Sequence, residues 1–64
     1  SGAGELLVQE AMRTVKRLDC TRFTATIQKR NVVWFEKLGW RREGGLFDLL
    51  GKPHQLMQAD LNLV

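Results

Sequence analysis

The 64-residue sequence has one cysteine, one histidine, one proline and no tyrosine. A lone Cys20 excludes an internal disulfide. Cys20 and His54 together fall short of the four ligands of a closed zinc site, so no metal is expected. No apolar run approaches the roughly 20 residues of a membrane-spanning helix, and no signal peptide is visible. No membrane partner is therefore expected. A lone thiol fits a reduced, cytoplasmic setting. Repeats, linkers and low-complexity segments are also missing.

Charge of one sign is scarce. Ten Lys and Arg stand against seven Asp and Glu, for a net charge of +3. Most basic residues are interspersed with acidic ones, and the densest pairs are Lys29-Arg30 and Arg41-Arg42. A solvated surface is the first reading of such pairs, an anionic small molecule the second and nucleic acid the third. Nucleic acid ranks last because the chain lacks a dense basic stripe and a platform of exposed aromatics.

The hydrophobic fraction, 44%, is that of a globular chain. At this length residues 1–64 form one small domain, and such a domain buries only ~60% of the surface its unfolded chain exposes. Without disulfide or metal, self-association is the expected source of extra stability.

Hydrophobic spacing predicts a helix over residues 5–18, with Leu7, Val8, Ala11, Met12, Val15 and Leu18 as its core stripe. Glu5 in the first turn and Lys16 and Arg17 in the last suit the helix dipole. Residues 22–28 (RFTATIQ) alternate and read as a strand. Residues 31–38 (NVVWFEKL) read as a short helix, with Asn31 as N-cap and Gly39 as its stop. Trp40 opens a strand over residues 40–50, interrupted at Gly44-Gly45. GKPH at 51–54 reads as a turn, and residues 55–61 as a last strand with Met57, Ala59 and Leu61 on one face. The two final strands should pair as an antiparallel hairpin. The fold class is α/β or α+β, in the order helix, strand, helix, β-hairpin.

Two motifs carry chemistry. Gly2-Ala3-Gly4 stands at the mouth of the first helix, where free N–H groups attract anions and glycines allow close approach. One helix and one strand later comes NVVWFEKLGWRREG, an Asn followed by an aromatic-Glu-Lys-Leu-Gly-aromatic run. This pairing resembles the GNAT family of N-acetyltransferases. There a Gly-x-Gly pyrophosphate loop leads a helix, then a strand, an Asn-containing short helix and two closing strands. HQLMQADL resembles the family's closing strand, so the resemblance covers nearly the whole chain.

The resemblance implies an acetyl-coenzyme A site. The pyrophosphate falls to the backbone amides of Gly2, Ala3, Gly4, Glu5 and Leu6. Asn31 falls beside the pantetheine arm, and Phe35 lines the same groove, with Trp34 nearer the core. The family often has a tyrosine at the Phe35 position, as general acid for the departing thiolate. A phenyl ring cannot donate, so no catalytic residue is assigned. Cys20 reads as a packed thiol and His54 as a turn residue. The family's Gln or Arg ahead of the glycine loop, and the N-terminal half of the domain, fall before Ser1. The chain thus corresponds to the C-terminal half, a partial acyl-CoA N-acyltransferase fold.

Two function classes follow. One is an acetyl-coenzyme A-binding fragment of an enzyme that acetylates a small-molecule or peptide amine, with incomplete chemistry alone. The other is a non-catalytic homo-oligomeric module derived from that fold, in which strand 22–28 or the C-terminal hairpin meets a second copy. In either class a homodimer completes the fold.

Overall fold

The computed structural model describes residues 2–64. The chain runs through helix α1 (Gly2–Arg17), strand β1 (Thr24–Gln28), a 3-10 turn (Lys29–Asn31) and helix α2 (Val32–Lys37). Strands β2 (Trp40–Leu49) and β3 (Lys52–Ala59) follow, then a second 3-10 turn (Leu61–Leu63). The sheet has the order β1-β3-β2, and both pairings are antiparallel. The class is therefore α+β. The final strand inserts between the other two, so β1 and β2 run in the same direction on either side of it. The outer edges of β1 and β2 carry no strand among the described residues.

Residues directly opposite each other on paired strands share a face. Ala25 and Ile27 of β1 stand opposite Met57 and Gln55 of β3, and Ala59 stands opposite Trp40 of β2. That face receives both helices. Met12 of α1 and Val32 of α2 join Ile27, Trp40, Met57 and Ala59 in one buried cluster. Met12 and Met57 are wholly buried, each contributing about 1.5–3 kcal/mol. The opposite face carries the polar residues Thr24, Thr26, Gln58, Arg41 and Glu43, with Leu56 among them and Phe47 and Leu49 toward the hairpin turn. Across it Arg22 reaches Gln58 Oε1 at 3.2 Å and Glu43 Oε2 at 2.6 Å.

The structure corrects several expected boundaries. Helix α1 begins at Gly2 rather than residue 5, so the glycines form its first turn instead of a loop ahead of it. It stops at Arg17, where Asp19 takes a left-handed φ of 60°. The Asp19 and Cys20 amides return to the carbonyls of Lys16 and Val15, a Schellman closure. Only part of the expected stripe is inside. Met12 is buried and Val8 packs on the core, whereas Leu7 is 73% and Leu18 70% exposed, and Ala11 is exposed too. Two helices share three strands, and α1 has room to press only one narrow face on them.

The hairpin turn falls at Leu50-Gly51, not at residues 51–54. Both residues have positive φ, 53° and 77°. A two-residue turn of that hand matches strand twist, so β3 starts at once with Lys52. Pro53 stands one residue beyond the Gln28–His54 pair that ends the β1 ladder, where a missing N–H is tolerated. Asp60 and Leu61, expected in the strand, leave it, and Leu61 enters the 3-10 turn. The Asp60 amide donates to the Gly39 carbonyl at 2.8 Å. Gly39 itself has a φ of 93°, and a Cβ there would meet Leu63 Cδ1 at 2.4 Å.

Gly44-Gly45 is the expected interruption, and its mechanism is visible. Glu43 pairs with Leu56 and Phe47 with His54, so three residues of β2 oppose Gln55 alone. The irregularity frees ladder carbonyls, and buried Gln55 collects them. Its Nε2 donates to the carbonyls of Glu43 and Gly44 at 3.0 Å each, and it also contacts that of Leu56 at 3.1 Å. Gln55 is only 2% exposed, so losing the amide removes these hydrogen bonds from a buried site. Gln55→Leu is expected to cost about 1–3 kcal/mol in urea unfolding. Gln55→Glu should cost more, since it sets a carboxylate against carbonyl oxygens. Equal stability of wild type and both variants would refute this role.

Candidate functional site

The first turn of α1 and the start of α2 are distant in sequence and adjacent in space. A Cβ placed on Gly4 would lie 3.6 Å from Trp34 Cζ2 and 3.8 Å from Cη2. Gly2 and Ala3 are exposed, and a Cβ on Gly2 would meet nothing within 4 Å. The first amides of an α-helix have no partner within it, so those of Gly2, Ala3 and Gly4 are unpaired within α1. By the i→i−4 pattern the Leu6 amide is committed to the Gly2 carbonyl. The Leu6 side chain is 64% exposed. Glu5 is exposed on the same turn, where its carboxylate complements the helix dipole but opposes a bound anion.

Asn31 ends the 3-10 turn and holds the position before α2, with φ −104° and ψ 0°. Its side chain makes no capping hydrogen bond and is exposed. The expected N-cap contact is therefore not made. Asn31 lies one turn ahead of Trp34, the residue under Gly4.

Phe35 belongs to a row of aromatic rings. Trp34 and Phe35 meet edge-on at 5.0 Å between centroids, Phe35 and Trp40 edge-on at 5.4 Å, and Trp40 and Phe23 at 5.0 Å. Such pairs contribute about 0.5–1.5 kcal/mol each beyond area burial. Phe35 is partly buried and packs against the core, and Trp34 is partly buried beside Gly4. The Trp40 Nε1–H is buried and without a hydrogen-bond partner among the described residues.

The remaining candidates separate from this cluster. Cys20 is exposed beyond the α1 terminus rather than packed. His54 is not in a turn: it is buried in β3, paired with Gln28 and Phe47. Its Nδ1 lies 2.9 Å from the Lys52 carbonyl, which only accepts, so Nδ1 carries the proton. No group of three or more metal-ligating side chains occurs among the described residues. None of the described helices is long and apolar enough to cross a membrane. Comparison with family models, curated proteins and solved structures finds no match.

Sequence reasoning missed how Trp34 couples the two motifs, because its position gave no sign of facing Gly4. Gln55 was also missed. Its signal was a glutamine in an otherwise apolar alternation opposite a double glycine.

Gly4 separates folding from binding. The contact at 3.6 Å is ordinary van der Waals distance, and alanine is the better helix former. Gly4→Ala is therefore expected to stabilise the chain by about 0.5–1 kcal/mol in thermal or urea unfolding. A loss of stability would show that the turn is packed more tightly than this geometry allows.

Proposed function

We propose that this chain is the acetyl-coenzyme A-binding part of a GNAT-type N-acetyltransferase. The observation that carries the reading is the seating of Gly4 on Trp34. It sets the glycine turn beside the Asn31–Phe35 segment, the two motifs on which the resemblance rests. The element order supports it as well, with a glycine-led helix, a strand, an Asn-led short helix and two closing strands.

The exposed first turn fits an anionic group. The free amides of Gly2, Ala3 and Gly4 hold a pyrophosphate, aided by the positive end of the helix dipole. The Asn31 side chain, uncommitted to capping, offers its amide to the pantetheine arm. Phe35 shapes the groove and supplies no proton. The cofactor brings an activated thioester, and the parent reaction passes its acetyl group to a small-molecule or peptide amine. Orientation of the two partners is then the main contribution of this half of the site.

Coenzyme A titrated by calorimetry and thermal shift is expected to bind, and Asn31→Ala to bind more weakly while unfolding at an unchanged temperature. Absence of both heat and shift in the wild type would overturn the cofactor role. An unaffected Asn31→Ala would remove Asn31 from the site.

A second reading has its own observation. The outer edge of β1 has no strand among the described residues, and Leu7, Ala11 and Leu18 lie exposed on α1. A non-catalytic homo-oligomeric module buries both by pairing β1 with a second copy, and the same pairing makes a homodimer of the enzyme fragment. Sedimentation of the 64-residue chain is expected to give a dimer. A folded monomer at low concentration would refute the pairing.

A further inference from the structure

At the end of the sheet where the hairpin turns, three exposed basic residues border one concave space. Lys29, Arg30 and Lys52 line one cavity of about 190 Å³ together with Gln28 and Pro53. They reach it from separate parts of the chain, two from the 3-10 turn after β1 and one from the start of β3. None of the three forms an ion pair or a side-chain hydrogen bond among the described residues.

Most other basic side chains differ, although Lys37 and Arg41 also form no ion pair among the described residues. Arg13 and Arg17 are paired with Glu10, Arg22 with Glu43, and Arg42 with Glu36. The larger cavity of about 310 Å³ also holds two cations, Lys16 and Arg41, but it includes Asp60, and Lys16 donates to the Val64 carbonyl oxygen. No carboxylate lines the cavity of Lys29, Arg30 and Lys52. Asp48, the carboxylate beside the hairpin turn, stands opposite Pro53 and takes no part in the lining.

The cations are carried on fixed backbone. The Lys52 carbonyl accepts the His54 Nδ1–H at 2.9 Å, Lys52 pairs with Leu49, and Pro53 has a restricted φ. Three like charges around one concave space, with no carboxylate among them, favour an anion there. Pockets for larger ligands begin at about 300 Å³, so this volume favours a compact ligand. An arginine fork with two ammonium groups matches a tetrahedral dianion.

We infer that Lys29, Arg30 and Lys52 form a binding site for a compact phosphate dianion, either inorganic phosphate or a phosphate monoester. The site is separate from the cofactor reading and needs neither the glycine turn nor Asn31. Arg30 grips two phosphate oxygens, and Lys29 and Lys52 neutralise the remaining charge.

The test is an amide NMR titration of the full chain with sodium phosphate, and in a second arm with phenyl phosphate, against sodium chloride at matched ionic strength. Saturable shifts at Lys29, Arg30 and Lys52 are expected, with Arg30→Gln and Lys52→Gln each weakening binding about tenfold. Lys37→Gln, an exposed cation on α2 outside the cavity, should leave affinity unchanged. Tighter binding of phenyl phosphate than of phosphate assigns a monoester, and equal binding assigns the free ion. The site is overturned by an equal response to chloride, by shifts confined to Gly2–Gly4, or by unchanged affinity in the double variant with its remaining spectrum intact. A single-stranded oligonucleotide that binds where phosphate does not would overturn it in favour of nucleic acid.

Discussion

The packing of α1 on the central strand is the constraint from which the rest of the structure follows. Met12 and Met57 are wholly buried in one cluster, one from the helix and one from β3. Because β3 pairs on both sides, the position of Met57 sets the inward face of all three strands. Ala25 and Arg42 stand beside it in register, and a slip of one residue would turn each strand's apolar set outward. The four ion pairs among the described residues lie at the surface, where each contributes at most about 1 kcal/mol. Apolar burial and the β3 ladders therefore carry the fold.

The same centre explains how the two motifs come together. Met12 holds α1 against the sheet and Val32 holds α2 against the same face. With both helices on one side, the first turn of α1 comes to Trp34. The aromatic row then continues through Phe35 and Trp40 to Phe23. The glycine turn thus stands beside the helix that follows Asn31, with Trp34 between them.

Much of this was legible in the sequence. Alternation in TATIQ, spacing in α1, Gly39 as a helix stop and an antiparallel hairpin all reflect local rules, and each element is present. What could not be read depends on contacts between elements. Leu7, Ala11 and Leu18 have the same periodicity as Met12, and only the width of a three-stranded sheet decides which of them is covered. Asn31 has the residue type of an N-cap, but the preceding 3-10 turn gives it a conformation that leaves its side chain uncommitted. The Lys29-Arg30 pair was visible as a charge cluster. Lys52 joins it only because β3 returns beside β1, a pairing between residues far apart in the chain.

The double glycine in β2 sets a parity rule for the hairpin. Three residues oppose one at Gln55, so the inserted length is even, and Glu43 and Phe47 keep the same side of the sheet. A single-residue bulge would have sent Phe47 and Leu49 to the helix side. The length of this hairpin is therefore free to change in steps of two and resists steps of one. Within related chains, insertions and deletions near Gly44 should come in pairs, with a glutamine retained opposite them to gather the carbonyls that each pair releases.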